Sequence, residues 1–341
     1  HPIVRAGLRA VLETEPDFAL NQPLSTFAVA SFELLDVDSP THALDVVSII
    51  ESTLDDPRQV LMAQQHAARG EAVAQMKADG IEYDERMELL EEVTWPKPLA
   101  ELLVPAFEIY RGSHPWLSEV GLSPKSVVRD MVERAMTFAE LISHYGLMRS
   151  EGLVLRYLAD AYRTLRQTVP PESRTEEVQD ITEWLGELVR QVDSSLLDEW
   201  ENLTDPGAEP EALVEAYGSD APRPISANPR AFRILARNAI FRRVDLAARR
   251  QWNALDDLDD GPDWEEELEP FFAEYGFIGT GPSARGPALF TLNVGAESTT
   301  VRQVLEDPDG DHGWSLDAVI DLAESDAAGE IVFDEIVVTP G

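Results

Sequence analysis

The sequence predicts a mainly α protein, a helical bundle followed by a small α+β domain with an antiparallel sheet. Three observations carry this. Apolar residues recur at helical spacing through most of the first 255 positions, an acidic boundary containing Gly261-Pro262 follows, and the tail then changes to short strand-like runs separated by turns. Residues 1–60 read as a helical segment, 61–94 as an exposed helical connector, 95–255 as the bundle and 263–341 as the α+β domain.

The elements follow in order. Ser39-Pro40 reads as an N-cap and a first-turn proline, with Ala43, Val47, Ile50 and Leu54 on the buried side of the helix that follows. Residues Gln64 to Glu92 are polar with weak periodicity, an exposed helical excursion, and Trp95-Pro96-Lys97-Pro98 is a rigid turn that restarts the packed structure. Ser123-Pro124 repeats the start signal; Val128, Met131, Ala135, Phe138 and Ile142 form a stripe, and Gly146 ends the helix. Ser150 caps a helix over 151–169, ended by Pro170-Pro171. A second runs over about 175–200, with Val178, Ile181, Leu185, Leu188 and Val192 inward. Residues 205–224 read as a linker, and helix returns over about 229–255. The run Asp256–Glu269 holds nine acidic residues. Beyond it, Glu265–Tyr275 is helical. Ala288–Val294, Thr300–Leu305, Trp314–Leu322 and Ile331–Val338 read as strands, with turns at Asp307–Gly310 and Asp326–Gly329.

Composition bounds the function. A chain of 341 residues, 44% hydrophobic, suffices for two or three domains. It has no cysteine, which excludes disulfides, thiolate zinc sites and cysteine nucleophiles and fits a reducing cytoplasm. No apolar run approaches the roughly 18–20 residues that span a bilayer, and the start does not read as a secretory signal, so a cytoplasmic protein with no membrane partner is expected. The sequence does not open on Met and is expected to begin inside a longer protein. The net charge is −37, from 64 acidic and 27 basic residues. Phosphate contacts need positive charge, so any nucleic-acid binding must be local.

Catalytic motifs are sparse. No G-x-x-x-x-G-K-[ST] loop occurs, and Lys77, Lys97 and Lys125 are the only lysines; there is no Asp-Glu-x-His or Asp-Glu-Ala-Asp run to hold magnesium. The chain alone is expected not to hydrolyse ATP. Gly279-Thr280-Gly281-Pro282-Ser283-Ala284 matches G-x-G-x-x-A in form, but Pro282, Gly286 and Pro287 oppose the helix that a dinucleotide fingerprint opens, so a structured loop leading into a strand is expected. Asp307, Asp309 and Asp311 alternate like the start of a calcium loop, yet Ala318 stands where the bidentate Glu belongs, and an acidic hairpin is expected. The six histidines form no metal pattern; His42 and His144 lie within helices, and His114 is read as a turn residue.

Arginine supplies the remaining features. On the 151–169 helix, Arg156, Asp160, Arg163 and Gln167 make one polar stripe opposite Tyr157, Leu158, Ala161, Tyr162 and Leu165. Periodicity alone describes an amphipathic helix with a solvated Arg–Asp pair. From Arg223 to Arg250 there are eight arginines (Arg223, Arg230, Arg233, Arg237, Arg242, Arg243, Arg249 and Arg250) against Asp245 alone, with Phe232, Phe241 and Trp252 interleaved. Arginine with aromatics suits a single-stranded nucleic-acid groove. It equally suits pairing with the acids of Asp256–Glu269 or of packed neighbours.

The segment from Ser150 to Pro170 resembles a helix of Ski-type superfamily II RNA helicases, which carry a similar E-G-x-x-x-R…L-R-Q pattern after their motor. Glu151, Gly152, Arg156, Leu165, Arg166 and Gln167 match it. Asn21–Ser25, Ser39–Val47, Trp95–Leu103, His114–Trp116, Gly279–Pro282 and Asp307–His312 are similar to the region following the motor in actinobacterial DEAD/DEAH-box helicases. The resemblance implies that 1–60 is a post-motor segment and that 151–169 is a ratchet-like helix contacting the strand as it leaves the motor. It implies single-stranded RNA (or DNA) and motor domains of the same parent chain as partners, with ATP and magnesium only in that motor and no cofactor in this chain. The motor itself is absent from this sequence, and the beaded arch of eukaryotic relatives has no counterpart beyond Gln64–Glu92. Arg156, Arg163, Arg166 and Gln167 are the expected strand contacts by resemblance, and Arg230, Arg233, Arg237, Arg242 and Arg243 by charge. The rival is a non-catalytic acidic interaction module whose α+β tail docks a partner or binds a small molecule. Arginines gathered on one concave face would favour the first, and arginines buried against Asp256–Glu269 the second.

Overall fold

The computed structural model describes residues 22–193, Leu197, 224–258, 261–295 and 298–341. The expected linker at 205–224 and the motif residue Asn21 therefore lie outside the described residues, apart from Pro224. Two units are built, one within His1–Asp130 and Ala139–Thr182, the other within Met131–Phe138 and Glu183–Gly341.

The helices of the N-terminal half are α1 (Gln22–Ser31), α2 (His42–Thr53), α3 (Arg58–Ala78), α4 (Tyr83–Glu92), α5 (Ala100–Ser113), α6 (Val128–Glu133), α7 (Phe138–His144), α8 (Glu151–Thr168) and α9 (Glu176–Val192). In the first unit α1 packs on α2, α5 and α8, and α2 on α8. Phe27 meets Phe107 edge-on, their centroids 5.0 Å apart, with Leu24 and Leu117 in the same cluster. The excursion is two helices, α3 and α4, packed on each other, with Tyr83, Met87 and Leu89 exposed. Trp95 anchors the turn that follows, its Nε1 donating to the Pro124 carbonyl at 3.2 Å.

Two start signals act differently from expectation. Helix α2 begins at His42 after Thr41; Ser39 and Pro40 form a preceding turn in which Ser39 accepts the Thr41 N–H through Oγ. The helix expected after Ser123-Pro124 is divided into α6 and α7, because Ala135 takes φ 50°, a left-handed conformation that interrupts an α-helix. Gly146 at φ 63° ends α7 as expected. Helix α8 begins after Ser150, but no hydrogen bond from the Ser150 side chain caps it.

The second unit contains α10 (Pro229–Ala248), α11 (Trp252–Asp256), α12 (Trp264–Tyr275), β1 (Phe290–Val294), β2 (Thr299–Val304), β3 (Ser315–Ile320), α13 (Leu322–Ala328) and β4 (Phe333–Thr339). The single helix expected over 229–255 breaks at Arg250, where φ is 54°. A short helix, α13, runs from the end of the stretch read as strand into the one read as a turn (Asp326–Gly329), capped by Asp321 and stopped by Gly329 at φ 76°. The sheet is an antiparallel meander in the order β1-β2-β3-β4. Its inner face (Phe290, Val301, Leu316, Ala318, Ile336 and Val338) shares one core with Phe232, Ile240, Phe241 and Val244 of α10 and with Trp264, Leu268 and Phe271 of α12. The arginine-rich helix, placed in the bundle by sequence, thus packs with the sheet. Its apolar stripe matches the sheet's inner face, and the acidic Gly-Pro segment joins two helices of one core.

Candidate nucleic-acid interface

Helix α8 is fixed from beneath. The Glu51 carboxylate at the end of α2 is fully buried. Its Oε1 accepts the Val127 and Val128 N–H groups at 2.8 and 2.9 Å and the Tyr157 hydroxyl at 2.8 Å, and its Oε2 accepts the Arg129 N–H at 3.1 Å. Glu51 therefore caps α6 and ties α8 to α2 through one side chain. Lys125 lies beside it, donating to the carbonyls of Glu51, Leu54 and Ser123 at 2.8, 2.7 and 3.0 Å and pairing with Asp56 at 3.2 Å. Burial pushes the Glu51 carboxyl up, against the lowering effect of its four donors; burial likewise pulls the Lys125 ammonium down, opposed by Asp56. Burial first, then the charge and hydrogen bond of Glu51, raise Tyr157 well above the ordinary phenol.

With Tyr157, Leu158, Ala161, Tyr162 and Leu165 inward, the 100° step of the helix turns the polar stripe outward. Arg156, Arg166 and Gln167 are exposed. Arg163 is half-buried and pairs with Asp160 at 3.4 Å. The Arg166 guanidinium lies 5.6 Å from the Tyr162 ring centroid, and its Nη1 donates to the Tyr162 hydroxyl at 2.9 Å, so that side chain is pre-ordered on the surface.

The second set lies on α10. Asn228 caps this helix, Oδ1 accepting the Arg230 and Ala231 N–H groups at 3.1 and 3.2 Å. Arg230 and Arg233 are exposed, and the Arg233 guanidinium lies 5.8 Å from the Phe290 ring. Arg237 is half-buried. Arg242 is half-buried against the Arg134 carbonyl and Asp245. Arg243 is only 7% exposed; it donates to the Ala239 carbonyl at 2.7 Å and lies 4.8 Å from the Phe333 ring. Arg249 pairs with Asp245 at 3.0 Å, and Arg250 lies 4.3 Å from the Phe272 ring. The C-terminal half of this set is thus engaged within its own unit, on aromatic rings and Asp245. The described acids of Asp256–Glu269 are exposed. Sequence reading missed Glu51 altogether and placed Tyr157 only on the inward apolar face, since a lone Glu inside an apolar stripe and a Tyr 106 positions away carry no local signature of their bond.

Other candidates resolve simply. The Asp307 carboxylate accepts the N–H groups of Asp309, Asp311 and His312 at 3.0, 3.0 and 2.7 Å, which organises an acidic turn. Among the described residues no group of three or more His, Asp or Glu side chains is placed to hold a metal ion. The G-x-G-x-x-A stretch is a loop followed by a 3-10 turn and β1, without an α-helix. His42 is buried, its Nε2 3.0 Å from the Ser173 carbonyl. A hollow of about 310 Å³ lies on the open face of the sheet, lined by Thr291, Asn293, Arg302, Asp317, Glu335 and Val337 among others, with Arg302 and Asp317 paired across it at 3.3 Å. No helix among the described residues is long and apolar enough to cross a membrane.

A helical unit bearing an outward arginine stripe, joined in sequence to an α+β unit with its own arginine-rich helix, is the class of protein defined here. The chain belongs to the DUF3516 family, a domain of unknown function whose profile matches residues 5–338. Comparison with curated proteins and with solved structures gave no match.

Proposed function

We propose that this chain is an accessory region of an ATP-dependent RNA helicase and that single-stranded RNA passes along the outer face of α8. The observation that carries the reading is the placement of Arg156, Arg166 and Gln167. These positions match the Ski-type pattern, and they stand exposed on a helix whose opposite face is held by Tyr157 on Glu51. Arg166 stacked on Tyr162 is a cation held ready for a phosphate. Arg230 and Arg233 supply a second, electrostatic interaction with the strand. Arg242 and Arg243 do not join them, because their guanidinium groups are already used inside the α+β unit. ATP and magnesium belong to a motor on the same parent chain.

The other reading is an acidic interaction module whose α+β tail docks a partner; the described acids of Asp256–Glu269 are exposed, so burial of the arginines against them does not support it. Fluorescence anisotropy with a short single-stranded RNA at low salt separates the two. Binding is expected to be weak and strongly salt-dependent, since a charge of −37 opposes it. Arg156→Glu/Gln167→Glu and Arg230→Glu/Arg233→Glu should each lower affinity, and the salt slope should fall by roughly 0.7 for every arginine–phosphate pair removed. If both folded variants bind like wild type, the strand-guiding reading fails and the interaction module replaces it.

A further inference from the structure

The α3–α4 hairpin is seated in the first unit through its base. The buried residues of α3 are Val60, Leu61 and Gln64, all in its first two turns, and Gln64 Nε2 donates to the Ser126 carbonyl at 2.5 Å. Gln65 Nε2 and Arg69 Nε donate to the Val93 carbonyl at 3.1 and 3.3 Å and close the hairpin where α4 ends. From Gln65 to Glu92 no residue is buried. Helix α4 has ten residues and buries none of them. A helix shorter than about 12–15 residues is marginal in water by itself, and helices in proteins draw most of their stability from burying an apolar face.

Such a face exists on α4. Tyr83, Met87 and Leu90 recur at i, i+4 and i+7. Helix α3, packed alongside, leaves Leu90 half-buried, Tyr83 64% exposed and Met87 46% exposed. Asp84, Glu88 and Glu91 each follow one of these by a single residue, so they form a second stripe one helical step around from the first. All three are exposed, and among the described residues their side chains make no hydrogen bond or ion pair. The one cation of the helix, Arg86, is turned back on its own start, donating to the Ile81 carbonyl at 3.0 Å with its guanidinium 6.0 Å from the Tyr83 ring. A helix dipole favours cations in the last turn, yet the last turn of α4 holds Glu91 and Glu92 and no cation. Helix stability does not account for those acids.

An apolar stripe flanked by unpaired acids is complementary to an amphipathic helix that carries basic residues beside its apolar face. The same charge opposes other occupants. A second copy of α4 would set acid against acid, and nucleic acid or an anionic membrane would meet the same repulsion. We propose that the α3–α4 hairpin is a docking surface for a basic amphipathic helix of a partner protein. Its apolar residues cover Tyr83 and Met87, and its cations pair with Asp84, Glu88 and Glu91. Methionine suits such a surface, since its flexible thioether adapts to the shape laid against it. This surface does not rest on the strand path along α8 and stands whether or not that reading does.

The test uses the full chain and a fluorophore-labelled designed peptide of leucine and lysine, with its leucines along one helical face. A scrambled peptide of the same composition keeps the charge and loses the face, which controls for plain attraction to a chain of net charge −37. By anisotropy at physiological ionic strength, wild type should bind the amphipathic peptide about tenfold or more tightly than the scrambled one. Tyr83→Ala/Met87→Ala, which places the best helix former at both positions, should abolish that preference. Glu88→Gln/Glu91→Gln should weaken binding about threefold to tenfold and flatten its salt dependence. Glu266→Gln/Glu269→Gln, which removes two exposed acids from α12, should leave both unchanged. Equal binding of the two peptides by wild type overturns the proposal, and so does a folded Tyr83→Ala/Met87→Ala variant that keeps the wild-type preference. If that variant does not fold, the two glutamine variants decide: a loss confined to the α4 acids supports the surface, and equal effects at α4 and α12 overturn it.

Discussion

Replacing Glu51 with Ala should be among the most damaging single changes in the first unit, although Glu51 touches no solvent. Removal of its carboxylate leaves the N–H groups of Val127, Val128 and Arg129 and the hydroxyl of Tyr157 without their acceptor, and leaves the Lys125 ammonium with Asp56 as its nearest negative charge. Breaking a buried charge cluster from one side costs about 3–5 kcal/mol. Tyr157→Phe removes one hydrogen bond to the carboxylate, about 1.5–3 kcal/mol. Glu51→Gln keeps an acceptor at Oε1 but turns an NH₂ toward the Arg129 N–H, which leaves that donor unsatisfied at about 1–3 kcal/mol. The gain from removing a desolvated charge offsets part of that, so Glu51→Gln should be milder than Glu51→Ala. The pH dependence has a definite sign. A carboxyl raised in the folded state binds its proton more tightly there, so its contribution favours folding below the unfolded value. That contribution is lost as pH rises through the folded value. Glu51→Gln should remove this loss above pH about 4.5. Urea denaturation followed by circular dichroism from pH 4 to 8 provides the measurement. A change below about 0.5 kcal/mol for Glu51→Ala, within ordinary surface-substitution scatter, would refute the role given to this cluster.

Two smaller perturbations probe the α+β unit. Burial works to raise the Asp307 carboxyl, but the N–H groups of His312, Asp311, Gly310 and Asp309 outweigh it and hold it below the usual carboxylate value. Its stabilising contribution is therefore present above the unfolded value and is lost as pH falls through the folded one. Asp307→Asn should cost about 1–3 kcal/mol near neutral pH and flatten the acid limb of the stability profile, read by denaturant titration. Phe333→Leu keeps an apolar side chain but removes the ring beneath Arg243. It should cost about 0.5–2 kcal/mol and leave RNA affinity unchanged; an RNA effect in a folded variant would return Arg243 to the RNA interface.

The fold class was legible because it rests on period. Helix α8 alternates Tyr157-Leu158 and Ala161-Tyr162 inward with Arg156 and Gln167 outward, and the strands alternate in the same unambiguous way, as in Phe290, Leu292 against Thr291, Asn293. The breaks were illegible for a matching reason. Ala135 and Arg250 adopt left-handed φ without being glycine, so tertiary packing overrides a helical pattern that continues through both positions. The same applies to α13, whose Asp321 cap and Gly329 stop were present in the sequence but enclosed only one to two turns. The Glu51 cluster joins residues more than seventy positions apart, beyond the reach of any local pattern.

The arginine-rich segment marks where charge counting ends and geometry begins. Eight arginines within Arg223–Arg250 read as one feature, yet the helix divides them. Its C-terminal half sends Arg243 onto Phe333 and joins Arg242 and Arg249 to Asp245, uses for which a flat, weakly hydrated guanidinium is well suited. Its N-terminal half also places Arg233 5.8 Å from a ring, that of Phe290, but keeps it and Arg230 exposed. Arg230 stands in the first turn of α10, where the backbone N–H groups already carry positive potential and a cation is unfavourable by about 0.3–1 kcal/mol. Arg233 follows one turn later, also exposed. Stability alone would place acids at these positions, as it does in the first turn of α12 with Glu265, Glu266 and Glu267. Under the proposed reading, the cations at this helix start would serve an anionic partner outside the chain. The consequence is a difference in sign between two measurements on one variant. Arg230→Glu/Arg233→Glu should hold or gain stability while losing affinity for RNA, whereas a purely structural pair of arginines would lose stability and leave binding unchanged.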